Sequence, residues 1–236
     1  MLVHGTSADH SRWKPILPAF EEHFSVYALD RRGRGGSGDS EDYSIEREFE
    51  DVAAVVDSIG EPVNLLGHSM GAVCSLEAAL LTSNVRKLVL YEPGMNVSGE
   101  QVYPPGFIDR LDNLLEAGDR DGVIEALMRE VVGMPVEEVE HLRSLPAWHE
   151  RVKAAHTVPR ELRTDEYYEF VPERFKDLGV PMVLEGGDSS AFFKAADAAV
   201  DQALPDCRIV VMAGQGHAAM DTASELFATE VIHFLI

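Results

Sequence analysis

Short apolar segments rich in β-branched residues alternate with helical patterns along most of this chain, and that alternation is its strongest folding constraint. It predicts βαβ units and a mainly parallel sheet flanked by helices. Strands are expected at 1–4 (MLVH), 25–30 (SVYALD), 62–67 (PVNLLG), 87–92 (KLVLYE), 180–186 (VPMVLEG) and 207–213 (CRIVVMA). Between 44 and 60, apolar residues recur at Ile45, Phe49, Val52, Val56 and Ile59, a helical period ended by a glycine. From about Gly94 to Phe175 the alternation stops, and helical patterns run without an intervening strand. The expected organisation is a core of residues 1–94 and 176–236, with a helical cap inserted at 95–175.

The length of 236 residues suits one α/β domain with an insertion. Such a chain can bury a core without disulfides or metal. Cys74 and Cys207 lie far apart in apolar surroundings and read as free thiols, which fits a cytoplasmic location. No metal-ligand spacing occurs, so no metal or other cofactor is expected. The formal net charge of −21 repels nucleic acid and anionic lipid and points to a small-molecule substrate. No signal peptide and no bilayer-spanning run is read, so no membrane association is expected. The chain opens on MLVHG, inside what reads as a buried strand; either the start lies late or the fold lacks its first elements.

The stretch LLGHSMGAV (65–73) holds Ser69 between Gly67 and Gly71, after an apolar strand and before a helix. G-x-S-x-G in that context describes a nucleophile elbow, in which a serine sits on a strained turn. A hydroxyl needs a base, and in this arrangement the base follows later in the chain. His217, in GQGHAAM directly after the last strand, fits. His141, His149 and His156 fall in the insertion and read as solvent-facing. The orienting carboxylate is expected at Asp188 in EGGDSS, with Glu92 in LYEPG as the alternative acid; a helix cap is the plain structural use of Asp188. Oxyanion donors are expected from the amides of Met70, after the nucleophile, and Thr6, after His4-Gly5.

Together these residues resemble the α/β-hydrolase superfamily over almost the whole chain. The resemblance is carried by His4-Gly5, Trp13, the run from Asp30 to Ser37 (DRRGRGGS), Gly67 to Gly71, Asp188 and Gly216-His217. It weighs against reading GRGGSG as a dinucleotide loop, because no amphipathic helix opens on that run. The resemblance implies a triad of Ser69, Asp188 and His217 under a helical cap. The superfamily carries two further strands before HG. Without them the strand at 25–30 becomes a bare edge, open to pairing in a homodimer. The acid motif also departs from the usual spacing.

The expected function is hydrolysis of a small-molecule carboxylic ester, thioester or lactone through an acyl-enzyme. Cofactor-free perhydrolase and carbon–carbon hydrolase chemistries use the same triad. A non-catalytic small-ligand-binding protein on the same fold is the other class of reading. Met95, Phe107, Met128 and Trp148 are the expected substrate-lining residues, with Leu111, Leu127, Val132 and Met134 as further candidates; most of these also suit packing between cap helices. No cluster of cap arginines is read as a carboxylate or phosphate clamp.

Overall fold

A computed structural model describes residues 1–99, 101–179 and 181–236. Val180, the first residue of one expected strand, and Glu100 in the expected cap lie outside the described residues. Six strands form one parallel sheet: β1 (Leu2–Val3), β2 (Ala28–Leu29), β3 (Val63–His68), β4 (Val85–Tyr91), β5 (Pro181–Gly186) and β6 (Arg208–Met212). Their order is β2-β1-β3-β4-β5-β6. The two-residue strand β2 therefore lies at one edge, as a short edge strand should.

Both faces of the sheet are covered, because successive strand side chains point to opposite sides. Leu65, Leu88, Leu90 and Val183 pack toward α2 (Ile45–Ile59), α3 (Met70–Leu81) and α9 (Ala191–Ala203). Their neighbours Leu66, Val89, Tyr91 and Leu184 face the opposite layer, with Trp13, Phe20 of α1 (Leu17–Glu21) and Phe227 and Val231 of α11 (Ser224–Leu235). A short helix, α10 (Ala219–Thr222), precedes α11.

The glycines around Ser69 have a steric cause. A Cβ at Gly67 would fall on the carbonyl of Gly71 and the backbone of Ala72, and a Cβ at Gly71 would fall on the carbonyls of Val3 and His4. Helix α3 thus lies directly against β3 and the end of β1, which only hydrogen at those positions allows.

Between β4 and β5 stand α4 (Phe107–Glu116), α5 (Arg120–Ala126), α6 (Val136–Arg143), α7 (Pro146–Lys153) and α8 (Val158–Leu162). A π-helical turn, Leu127–Val131, continues α5. These helices pack around a third apolar cluster of their own, including Phe107, Leu111, Val123, Ile124, Trp148 and Val158. Trp148 belongs to this cluster and donates through Nε1 to Asp121 at 2.6 Å.

A buried ionic network ties the helical segment to the sheet. Glu161 of α8 accepts from Arg31 Nη2 at 2.8 Å and from Arg34 Nη2. Glu48 of α2 accepts from Arg31 Nε at 2.7 Å, Arg34 Nη1 at 3.2 Å and the Tyr43 hydroxyl at 2.8 Å. Removing one member of such a buried set strands the others and costs about 3–5 kcal/mol. Arg31 and Arg34 belong to the glycine-rich run from Asp30 to Ser37. That run closes on Asp30, whose carboxylate accepts from the Gly36 amide at 2.8 Å, while the Ser37 hydroxyl donates to the Asp30 carbonyl at 2.6 Å.

Candidate active site

Ser69 sits between the end of β3 and the start of α3 with φ 56° and ψ −126°. This is a sparsely populated conformation for a non-glycine residue, and such strain marks functional positions. Among the described residues, four non-glycine positions have positive φ: Ser7 (57°), Ser69 (56°), Glu92 (47°) and Asp206 (60°). Three of the four lie at this site.

Glu92 follows β4 directly and is fully buried. Its Oε2 accepts from His217 Nδ1 at 2.6 Å. Its Oε1 accepts from the Gly186 amide at 2.8 Å and from the Ser189 hydroxyl. A Cβ at Gly186 would collide with that carboxylate. The EGGDSS segment therefore supplies donors to the Glu92 carboxylate and not the carboxylate that meets His217. Asp188 is a correction to the sequence reading. It is exposed, its amide donates to the Gln215 carbonyl at 3.0 Å, and no described hydrogen bond joins its side chain to His217. The physical reason is position: the strained turn at Glu92 carries its carboxylate beneath His217, and Gly186 leaves the room for it.

The loop bearing His217 is held from below by two residues of neighbouring strand ends. His68 Nε2 donates to the His217 carbonyl at 2.9 Å, and the Tyr91 hydroxyl donates to the Gly216 carbonyl while accepting from the Ala219 amide at 3.2 Å. Phe193 stacks on the His217 ring, centroids 4.0 Å apart and planes 16° apart. Burial, with His217 close by, holds His68 well below the usual histidine range, so it is neutral. His4 is also neutral, lowered chiefly by burial and then by Arg31. Its Nδ1 bonds the Gly5 carbonyl at 2.9 Å, and its Nε2 accepts from the Arg31 amide at 3.1 Å. The buried ionic network thus reaches the turn that carries Thr6.

Ser69, Met70, Thr6 and His217 line one small cavity of about 80 Å³. No described hydrogen bond joins Ser69 Oγ to His217; such bonds often tighten only around substrate. Among the described residues, the amides of Thr6 and Met70 donate to no backbone carbonyl outside regular elements, and Met70 opens α3, where the first amides have no helical partner.

Of the expected lining residues, Met128 reaches this cavity, together with Leu127, Val131, Val132 and Met134 around the π-helical turn. Three expectations are corrected. Met95 packs in the sheet core, and Phe107 and Trp148 pack inside the helical segment's own cluster. Leu111 is in that cluster as well. Phe192 and Phe193 of α9, which the sequence reading passed over, line the cavity. So do two arginines, Arg12 from the core and Arg151 from α7. These two stand far apart in the chain, and only the fold brings them to one wall.

A model of the Alpha/beta hydrolase family matches residues 1–230. The chain belongs to the alpha/beta hydrolase family. A solved alpha/beta hydrolase from Sphaerobacter thermophilus is 31% identical and superposes with a TM-score of 0.86, covering 100% of this chain and 91% of that one. N-formylmaleamate deformylase of Pseudomonas putida is 32% identical over 118 residues, 47% of this chain and 44% of that protein. The match thus spans less than half the length of that curated relative. A longer match, to 2-(acetamidomethylene)succinate hydrolase of Mesorhizobium japonicum, is 24% identical and covers 100% of this chain and 87% of the relative. The parallel six-stranded sheet, with its helices on both faces, is the fold of this hydrolase family.

Proposed function

We propose that the protein is a serine hydrolase that cleaves a small-molecule carboxylic ester, thioester or lactone through an acyl-enzyme, with Ser69, His217 and Glu92 as its triad. The observation that carries this reading is the buried Glu92 carboxylate bonded to Nδ1 of His217, which lines one cavity with the strained Ser69. With Nδ1 committed to Glu92, Nε2 is the ring nitrogen left to accept a proton. In the proposed reaction Ser69 Oγ attacks the acyl carbon and its proton passes to Nε2. The amides of Thr6 and Met70 stabilise the oxyanion, and Glu92 stabilises the imidazolium. Collapse breaks the bond to the leaving group, which takes the proton from Nε2. Water, deprotonated by the same nitrogen, then attacks the acyl-enzyme, releasing the carboxylic acid and restoring the Ser69 hydroxyl.

The helices between β4 and β5 act in this reading as the cap that sets substrate size. Mass spectrometry of the protein mixed with p-nitrophenyl acetate tests it. One acyl group on the peptide containing Ser69, absent from Ser69→Ala, is the expected result. Turnover without any adduct dependent on Ser69 would overturn the reading.

A further inference from the structure

The described buried arginines fall into two kinds. Arg31 and Arg34 each bridge two glutamates, whereas Arg151 has no carboxylate within ion-pairing distance among the described residues. Its Nη1 donates to Ser7 Oγ at 3.2 Å, and its buried Nε has no partner. Burial, and then the neighbouring Arg12, lower its pKa to about 10, which leaves it charged at neutral pH. The acids nearest in effect, Asp221 and Asp9, are engaged elsewhere: Asp221 with Arg12, and Asp9 with the amide and hydroxyl of Ser11. A buried cation without a counter-ion is costly, and folds keep one only where something compensates.

Arg151 stands at a neck. With Ala8, Arg12, Met134 and Ala218 it lines both the inner cavity holding Ser69 and an outer groove of about 710 Å³. The Ser7 that receives it is buried, holds a φ of 57°, and follows Thr6. A strained residue is thus held between the proposed oxyanion donor and this cation.

We propose that Arg151 binds a carboxylate carried by the substrate, so that the preferred substrate is a small monoanionic ester spanning the neck. The proposal rests on the serine-hydrolase reading for the word ester, and on the unpaired guanidinium for the word monoanionic. The charge count selects a carboxylate over a phosphate dianion: Arg12 is already neutralised by Asp221, leaving one uncompensated positive charge. A guanidinium also matches a carboxylate in bidentate geometry.

Binding and turnover test the two readings separately. Titration calorimetry on Ser69→Ala compares monomethyl succinate with dimethyl succinate, before and after adding Arg151→Met. The monoester should bind about 10- to 100-fold more tightly than the diester, the range expected of a charge-assisted contact. Arg151→Met should erase that ratio, and Arg151→Lys should keep part of it. Equal binding of the two esters, or equal losses on both in Arg151→Met, would make Arg151 a support for the Thr6 turn and overturn the proposal. If Arg151→Met does not fold, competition decides: succinamate, with its single carboxylate, should inhibit wild-type turnover of dimethyl succinate while succinamide does not, and equal inhibition overturns it. Methanol release from monomethyl succinate by the wild type, set against Ser69→Ala, separately reports whether the hydrolase reading holds.

Discussion

Two regions of this molecule bury charge, and they do so in opposite ways. Under α8, Arg31 and Arg34 face Glu48 and Glu161, and each guanidinium has its acids. At the other, the Glu92 carboxylate is committed to His217, and Arg151 on the cavity wall has no acid among the described residues. A matched network is what a fold uses to hold parts together. Unmatched groups cost stability and persist where a reaction or a ligand completes them. The first region joins the helical segment to the sheet; the second carries the chemistry in the proposed reading.

The largest expected effect falls on the cavity. Glu92→Gln should lower kcat on a turned-over ester by about 10⁴-fold, the size found when a triad acid is neutralised. Steady-state kinetics with circular dichroism as a folding control would measure it. A loss of stability without a loss of kcat would move Glu92 into the structural class.

The complementary change is Glu161→Gln in the matched network. It should destabilise the fold by about 3–5 kcal/mol, read from denaturant unfolding, because Arg31 and Arg34 remain buried with one acid fewer. An unchanged unfolding midpoint would remove the distinction between the two regions.

A smaller effect concerns Asp197. Burial, then the charges of Glu92 and Glu185, raises its pKa from 3.8 to about 8. The folded protein therefore holds a proton that the unfolded chain has released, over the interval between those two values. Its contribution to stability is largest at the acid end and is lost as pH rises through about 8. Asp197→Asn should flatten this part of the stability-versus-pH curve, and an identical slope in the variant would contradict it. The smallest effect is expected from Asp188→Asn, within about threefold of wild-type kcat/KM, since its side chain is exposed.

The parts of the site that were legible in the sequence are those built from adjacent residues. The elbow can be read from GHSMG because the close approach of β3 and α3 demands glycines at fixed offsets, and His217 can be read from its place after the last strand. The carboxylate that bonds His217 could not be chosen that way. Asp188 and Glu92 both follow strands, and the difference between them lies in a backbone turn at Glu92 and in room left by Gly186, far along the chain. The wall of the cavity was less legible still. Phe107 and Trp148 carry the apolar character of lining residues but turn toward their own helices. Arg12 and Arg151 become one feature only when α7 is laid against the loop after β1.

The account turns on which carboxylate serves His217, and the rate of fluorophosphonate labelling measures that most directly. Wild type and Asp188→Asn should label at the same rate, Ser69→Ala not at all, and Glu92→Gln more slowly by roughly 10³- to 10⁴-fold. Slow labelling of Asp188→Asn beside rapid labelling of Glu92→Gln would contradict it.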